Sequence, residues 1–307
     1  MPIQIDEDLP EPMTPASEDS NVSQPRFVTD PLTGRETVVV ASRQSRPNLP
    51  DRGCPFCPGG LEAPEPYETR WFTNRWPALG DARCEVVLYS PEHHASFWSL
   101  GVDGACRVID LWAERTRELG SRDDVDYVLI FENRGPEVGA TIAHPHGQIY
   151  AFADVPPAVS NELDHGSLDL PPTDDPRVVS AVGDWVAWIP DAATYPYEMR
   201  IGNRGDIGSL TDMDLDRVGL ASVLVDVLAR LDQFFDEPTP YMLWIHQTPT
   251  DGKAWPSARL HFHIVPLRRA GGVTRFVAAA ELGAEVYFNP VEPERAARDL
   301  RTQPGAL

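Results

Sequence analysis

Long apolar runs are missing from this sequence. No stretch of its 307 residues approaches the roughly 18 consecutive apolar residues that a membrane helix needs, so a membrane-spanning protein is not expected. Basic residues are scarce as well: 26 Lys and Arg stand against 47 Asp and Glu, a formal net charge of -21. General nucleic-acid binding depends on neutralising phosphates with Lys and Arg, so this balance argues strongly against it. A small phosphorylated ligand is a different matter, because a few cations, metal ions and backbone N–H groups gathered in one cleft suffice to hold it. Cysteine is limited to four residues, two of them in the C-x-x-C pair Cys54 and Cys57. In a chain without a secretion signal, such a pair points to a metal or redox site more than to a disulfide framework, and the cytoplasm is the expected compartment. Residues 1–24 are acidic and proline-bearing, with neither an apolar h-region nor an arginine-rich amphipathic pattern. They read as a solvated tail and not as a signal or transit peptide.

What is present begins with a weak internal duplication. From Glu85 onward an apolar strand (85–90), a helix (about 103–119), a strand (127–132) and a strand with His144 and His146 follow in order. The same series returns as a strand near 197–201, a helix from about Thr211 to Phe235, a strand over 241–245 and a strand over 259–267 with His261 and His263. Leu215, Val218, Ser222, Val225, Leu228 and Leu231 follow helical spacing, and Thr211 is the expected cap. The His-bearing segments alternate apolar and polar residues, as in a strand with one buried face. The expected fold is therefore α+β: tandem halves over 25–170 and 171–307, with an antiparallel sheet and packed helices. The Pro-, Asp- and Ser-rich stretch 155–176 reads as the linker between them. Near the N-terminus, Leu32-Thr33-Gly34 would turn between two short strands.

The chemistry concentrates in His144-Pro145-His146-Gly147-Gln148. Residues two apart on a strand share a face, so His144, His146 and Gln148 should project together into one cleft. Gly147 would let a ligand approach the backbone closely. A neutral imidazole attacks phosphorus without first losing a proton, which makes His146 a candidate nucleophile. Gln148 would donate a hydrogen bond to the nonbridging phosphate oxygens. The second half keeps a His-x-His but has Val265 where the first has the amide. A third histidine would serve proton transfer and hence hydrolysis, so the amide favours group transfer.

The G-x-x-x-x-H-P-H-G-Q-I-Y run from Gly139, the C-P-F-C pair, S-P-E-H, F-E-N-R-G and L-H-F-H together resemble the galactose-1-phosphate uridylyltransferase family, a branch of the histidine-triad superfamily. The resemblance spans about Phe27 to Arg301 with the motifs in the same order, and makes the halves histidine-triad-like. It implies a ping-pong exchange in which UDP-glucose gives UMP to His146 and hexose 1-phosphate collects it. A nucleotide-sugar or dinucleoside-polyphosphate phosphorylase is the nearest alternative, and a retired nucleotide-binding metal module the non-enzymatic one. The family is often dimeric, so a homodimer is an expectation too.

The same resemblance implies a structural zinc on Cys54, Cys57, His93 and His144, with His94 as the rival of His93. A Cys2His2 set suits tetrahedral zinc on ligand softness and number. It further implies a second metal, iron or zinc, on Glu162, His246, His261 and His263. Arg46, in the R-x-x-R-P run from Arg43, matches a phosphate-binding arginine. Asn74 matches a uridine-site asparagine, and Asn133 and Thr141 match polar residues near the diphosphate. Arg275 stands where the family commonly has Lys, and Glu281 matches the acid that contacts hexose hydroxyls. Ala280 replaces a residue that is often Tyr, and Tyr287 falls near a sugar-binding Gln, so the sugar is the least determined part of the expectation.

Overall fold

The computed structural model describes residues 25–45, 53–80, 82–166 and 168–307. The acidic tail and Arg46 lie outside the described residues. Two compact units, 1–46 and 47–307, make up the chain. In the first, β1 (Arg26–Thr29) and β2 (Glu36–Val39) form an antiparallel hairpin. The expected turn joins them: Asp30 accepts from the Leu32 N–H through its side chain and from the Gly34 N–H through its carbonyl, and Gly34 takes a left-handed φ of 71°.

The second unit is built on one nine-stranded sheet. Its first part holds β3 (Arg70–Thr73), β4 (Cys84–Leu88), helix α1 (Gly101–Gly120), β5 (Tyr127–Arg134) and β6 (His146–Phe152). Helix α2 (Pro157–His165) follows, and then β7 (Val178–Val182), β8 (Trp185–Trp188), β9 (Met199–Asn203), α3 (Arg217–Phe235), β10 (Tyr241–His246) and β11 (His261–Pro266). A small hairpin of β12 (Arg268–Ala270) and β13 (Val273–Thr274) leads to α4 (Ala279–Ala284) and α5 (Pro293–Arg301).

The strand order is β3-β4-β6-β5-β10-β11-β9-β8-β7, with every neighbouring pair antiparallel. Apart from β7, this order is a palindrome about the β5/β10 boundary, with β3, β4, β5 and β6 mirrored by β8, β9, β10 and β11. The fold is α+β, as expected, and the duplicated series occupies mirrored places in one continuous sheet.

Parity along the strands explains the layers. Val87, Ile130, Ile149, Leu243, Ile245, Phe262 and Ile264 point to one face and pack with Ile109 and Trp112 of α1 and with Leu220, Leu224 and Leu228 of α3. Burying each such side chain contributes roughly 1.5–3 kcal/mol. The buried bidentate pair of Arg115 on α1 with Glu85 on β4, at 2.8 and 2.9 Å, ties the helix to the sheet on this face. The alternate residues, including His146, Gln148, Phe131, Trp244, His263 and Arg200, share the opposite face through their cross-strand pairs.

Four sequence expectations change. The strand begins at His146, so His144 precedes it. Helix α3 begins at Arg217 rather than near Thr211: Asp216 is the cap, accepting from the Gly219 N–H at 3.0 Å, while the Thr211 hydroxyl bonds back to Ser209. The stretch read as a linker contains α2, because prolines at its N-cap and first turn are compatible with helix initiation. β7 and β8 were not anticipated. No helix among the described residues is long and apolar enough to cross a membrane.

Candidate active site and metal centres

The Cys54-Pro55-Phe56-Cys57 turn closes around Gly60. A Cβ there would lie 2.6–2.8 Å from the carbonyl oxygens of Pro55, Cys54 and Cys57, so only glycine fits. The turn brings its two thiols to His93, in the loop after β4, and to His144. Cys57 Sγ is 3.5 Å from His93 Nδ1 and 3.6 Å from His144 Nδ1, and the four ligand atoms lie within 4.8 Å of one another. Zinc–sulfur and zinc–nitrogen bonds of about 2.3 and 2.05 Å at tetrahedral angles require an S···N edge of roughly 3.6 Å, which these distances match. His144 Nε2–H donates to the Ser90 carbonyl at 2.7 Å, leaving the Nδ1 lone pair toward the thiols. Tyr67, which carries no sequence signal, adds its hydroxyl 2.9 Å from the same Nε2. Burial pushes the Cys57 thiol above its ordinary pKa, with Cys54 adding to the effect, and burial lowers His144. His94 is not part of the group; its ring stacks edge-on against His93.

His146 opens β6 two residues later. Its Nδ1 lies 2.8 Å from the His144 carbonyl. A carbonyl oxygen only accepts, so Nδ1 carries the proton and Nε2 the lone pair. The edge of Phe56, another residue missed from sequence, meets the His146 ring with centroids 5.1 Å apart. Gly147 faces the opposite way. A Cβ on it would come within 2.2 Å of the Tyr89 hydroxyl, so this glycine admits a buried tyrosine and not, as the sequence suggested, a ligand. Gln148 Oε1 accepts from Asn74 Nδ2 at 3.4 Å, and Asn74 Oδ1 accepts from the Trp76 N–H. The Asn74 bond thus engages the oxygen of the Gln148 carboxamide and not its N–H groups. Asn133, two residues beyond Phe131 on β5, shares this sheet face, and Thr141 lies in the loop entering His144.

The second cluster joins Glu162 of α2 to three histidines. His246 and His261 sit directly opposite each other in the sheet. Glu162 Oε2 is 2.6 Å from His246 Nδ1 and 3.3 Å from His261 Nε2, and Oε1 is 3.6 Å from His263 Nε2. His261 Nδ1–H donates to the Arg259 carbonyl at 2.8 Å, which turns Nε2 toward the cluster. His263 Nε2 is buried without a hydrogen-bond partner, the mark of a nitrogen suited to a metal. Trp244 stacks on the His263 ring at 4.7 Å. Burial alone would raise Glu162, but the hydrogen bonds from His246 and His261 outweigh it and hold the carboxyl well below its ordinary range. Burial, together with the neighbouring His261 and His246, holds His263 well below the usual imidazole value.

Arg275 and Glu281 are spent on each other. Glu281 Oε1 takes Arg275 Nη2 and the Phe288 N–H, and Oε2 takes Arg275 Nη1 and the Ala278 N–H. Four donors fill the lone-pair positions of a carboxylate, so the expected sugar contact is already saturated. The Arg275 guanidinium, followed by the two backbone N–H groups, brings Glu281 down to about 2.

Residues 77–156 match the family described as galactose-1-phosphate uridyl transferase, N-terminal domain, and residues 161–305 match its C-terminal domain. A galactose-1-phosphate uridylyltransferase of Thermotoga maritima is 34% identical over 309 residues, covering 89% of this chain and 96% of the relative. Among solved structures, one described as a uridylyltransferase superposes with a TM-score of 0.81 at 29% identity, covering 90% of this chain and 97% of that one. An ADP-glucose phosphorylase of Arabidopsis thaliana, solved with bound ADP-glucose, gives 0.73 at 26% identity, covering 92% and 100%. Two domain matches in chain order and a near full-length relative at this identity establish that the chain belongs to the galactose-1-phosphate uridylyltransferase family.

Proposed function

We propose that the chain is a UDP-glucose:hexose-1-phosphate uridylyltransferase that works through a covalent uridylyl-His146. The observation that carries this reading is the 2.8 Å bond from His146 Nδ1 to the His144 carbonyl, which presents Nε2 as the nucleophile. Nε2 forms a bond to the α-phosphorus of UDP-glucose as the bond from that phosphorus to the bridging oxygen breaks, and glucose 1-phosphate leaves with the electron pair. The imidazole gains positive charge, and the His144 carbonyl stabilises it through Nδ1–H. A phosphate oxygen of the incoming hexose 1-phosphate then displaces Nε2, forming the UDP-hexose and returning a neutral His146. Gln148 donates to the nonbridging oxygens, with its amide held by Asn74. Asn133 and Thr141 complete the diphosphate contacts.

Cys54, Cys57, His93 and His144 would hold a structural zinc, and Glu162, His246, His261 and His263 a zinc or iron ion. Such ions would supply rigidity, fixing the segment that presents His146 and joining α2 to the sheet. The reading treats 25–170 and 171–307 as histidine-triad-like halves and the cytoplasm as the site of action. A homodimer is part of it, supported by the exposed apolar side chains Phe276, Leu282 and Phe288.

The likeness to the ADP-glucose phosphorylase favours one second reading, in which inorganic phosphate accepts the nucleotide. Acceptor profiling separates the two: galactose 1-phosphate and inorganic phosphate are offered in turn with UDP-glucose and ADP-glucose. Turnover with UDP-glucose and a hexose 1-phosphate supports transfer. Turnover only with inorganic phosphate refutes it.

A further inference from the structure

The mirrored sheet has a cavity beside the counterpart of His146. Strand β6 corresponds to β11 and β4 to β9, so His263 takes the place of His146. In the first half the residue paired across the sheet from His146 is Leu88, fully buried. In the second half the residue paired across from His263 is Arg200. An apolar residue beside the first histidine is thus matched by a cation beside the second.

That cation faces a cavity. A space of about 210 Å³ lies between α2 and strands β9 to β11. Its lining includes Arg200 and Arg259, the apolar Val159, Leu163 and Leu168, and Glu162, His246 and His261 of the second cluster, which it adjoins. The Nε of Arg200 is buried with no hydrogen-bond partner, and no ion pair joins the side chain to a carboxylate among the described residues. Glu162, the carboxylate of the same cavity, is engaged by His246 and His261. Arg259 is turned to the exposed Asp206 and to the backbone carbonyls of Pro256 and Ala258. A guanidinium with a buried, unmatched donor is costly unless an acceptor meets it.

We infer that this cavity is a binding site for a small oxyanion, whose charged head pairs with Arg200 and whose short body lies against Val159, Leu163 and Leu168. Size excludes a second substrate site, since pockets for drug-sized ligands start near about 300 Å³. Position excludes a part in the transfer itself. From Arg200 the register runs through His263, Trp244 and Phe131 to Gln148, four strand spacings of about 4.8 Å, or roughly 19 Å. The head is phosphate or carboxylate, both of which match the planar fork of arginine.

Isothermal titration of the metal-loaded protein with inorganic phosphate and, separately, with butyrate tests this, against Arg200→Leu and Arg200→Lys proteins of unchanged metal content. Expected is saturable binding of at least one probe, weakened at least tenfold by Arg200→Leu and less by Arg200→Lys. Phosphate binding marks an inorganic or phosphoryl ligand, and butyrate binding an organic acid. If Arg200→Leu fails to fold, Leu163→Glu places a carboxylate in the cavity and should abolish the same binding. No binding of either probe, or binding that survives both Arg200→Leu and Leu163→Glu, overturns the inference. Because the readout is binding remote from His146, its failure leaves the uridylyl-transfer reading untouched, and the converse also holds.

Discussion

His146 Nδ1 lies 2.8 Å from the carbonyl oxygen of His144, and this contact selects one tautomer of the imidazole. The residue that supplies the carbonyl also turns its own Nδ1 to Cys57 at 3.6 Å. A metal-type cluster and the proposed nucleophile are therefore separated by a single proline, and one backbone segment orients both.

Gly147 should tolerate no side chain. Gly147→Ala sets a methyl against the Tyr89 hydroxyl at 2.2 Å, and overpacking of this kind costs about 1–3 kcal/mol. Denaturant unfolding of Gly147→Ala, Tyr89→Phe and the double variant should show partial rescue in the double, since the phenylalanine lacks the clashing oxygen. Strict additivity of the two losses would argue against this contact.

The two proposed metal centres should empty independently. Cys57→Ser is expected to remove roughly one equivalent of zinc and to leave the second centre filled, whereas Glu162→Gln should do the reverse. Elemental analysis of protein purified without added metal reads both results. Loss of both metals from either variant would contradict two separate sites.

Glu132 predicts a pH dependence of stability. Its carboxyl is buried on the helix-covered side of the sheet, accepts from the Tyr241 hydroxyl at 2.9 Å, and is pushed by burial up to about 7. The folded state then keeps a proton that the unfolded chain releases above about pH 4.3, so stability falls as pH rises from about 4.5 to 7. Glu132→Gln removes this dependence. Chemical unfolding across that window should show the variant gaining on the parent protein as pH rises, by up to a few kcal/mol at its upper end.

The Arg115–Glu85 pair, both side chains almost fully buried, should be expensive to break from one side. Glu85→Ala removes the buried partner of Arg115 Nε and Nη2 and leaves the guanidinium only the exposed Glu118 and Glu114, at a cost of about 1–3 kcal/mol. A loss below 1 kcal/mol in thermal or chemical unfolding would mean that water reaches Arg115.

Much of this site was legible in the sequence because the signals were chemical and periodic. Alternation put His261 and His263 on a strand, and the family resemblance marked Cys54, Cys57, His93 and His144, which the fold does bring together. What escaped notice depended on partners distant in sequence. Proline at the start of α2 resembled linker composition, although the same residue suits a first helical turn. Gly147 looked like an opening for a ligand because nothing near it in sequence announced Tyr89. Glu281 carried a familiar motif, yet its oxygens are filled by Arg275 and two backbone N–H groups whose approach only the folded loop creates.

The most direct test of the central claim is the intact mass of the protein after incubation with UDP-glucose alone, followed by peptide mapping under conditions that preserve phosphohistidine. The account predicts one added uridylyl group, located on His146, absent from His146→Gly and discharged by hexose 1-phosphate. Turnover of UDP-glucose with hexose 1-phosphate by His146→Gly, or a uridylyl group found on any other residue, would contradict it.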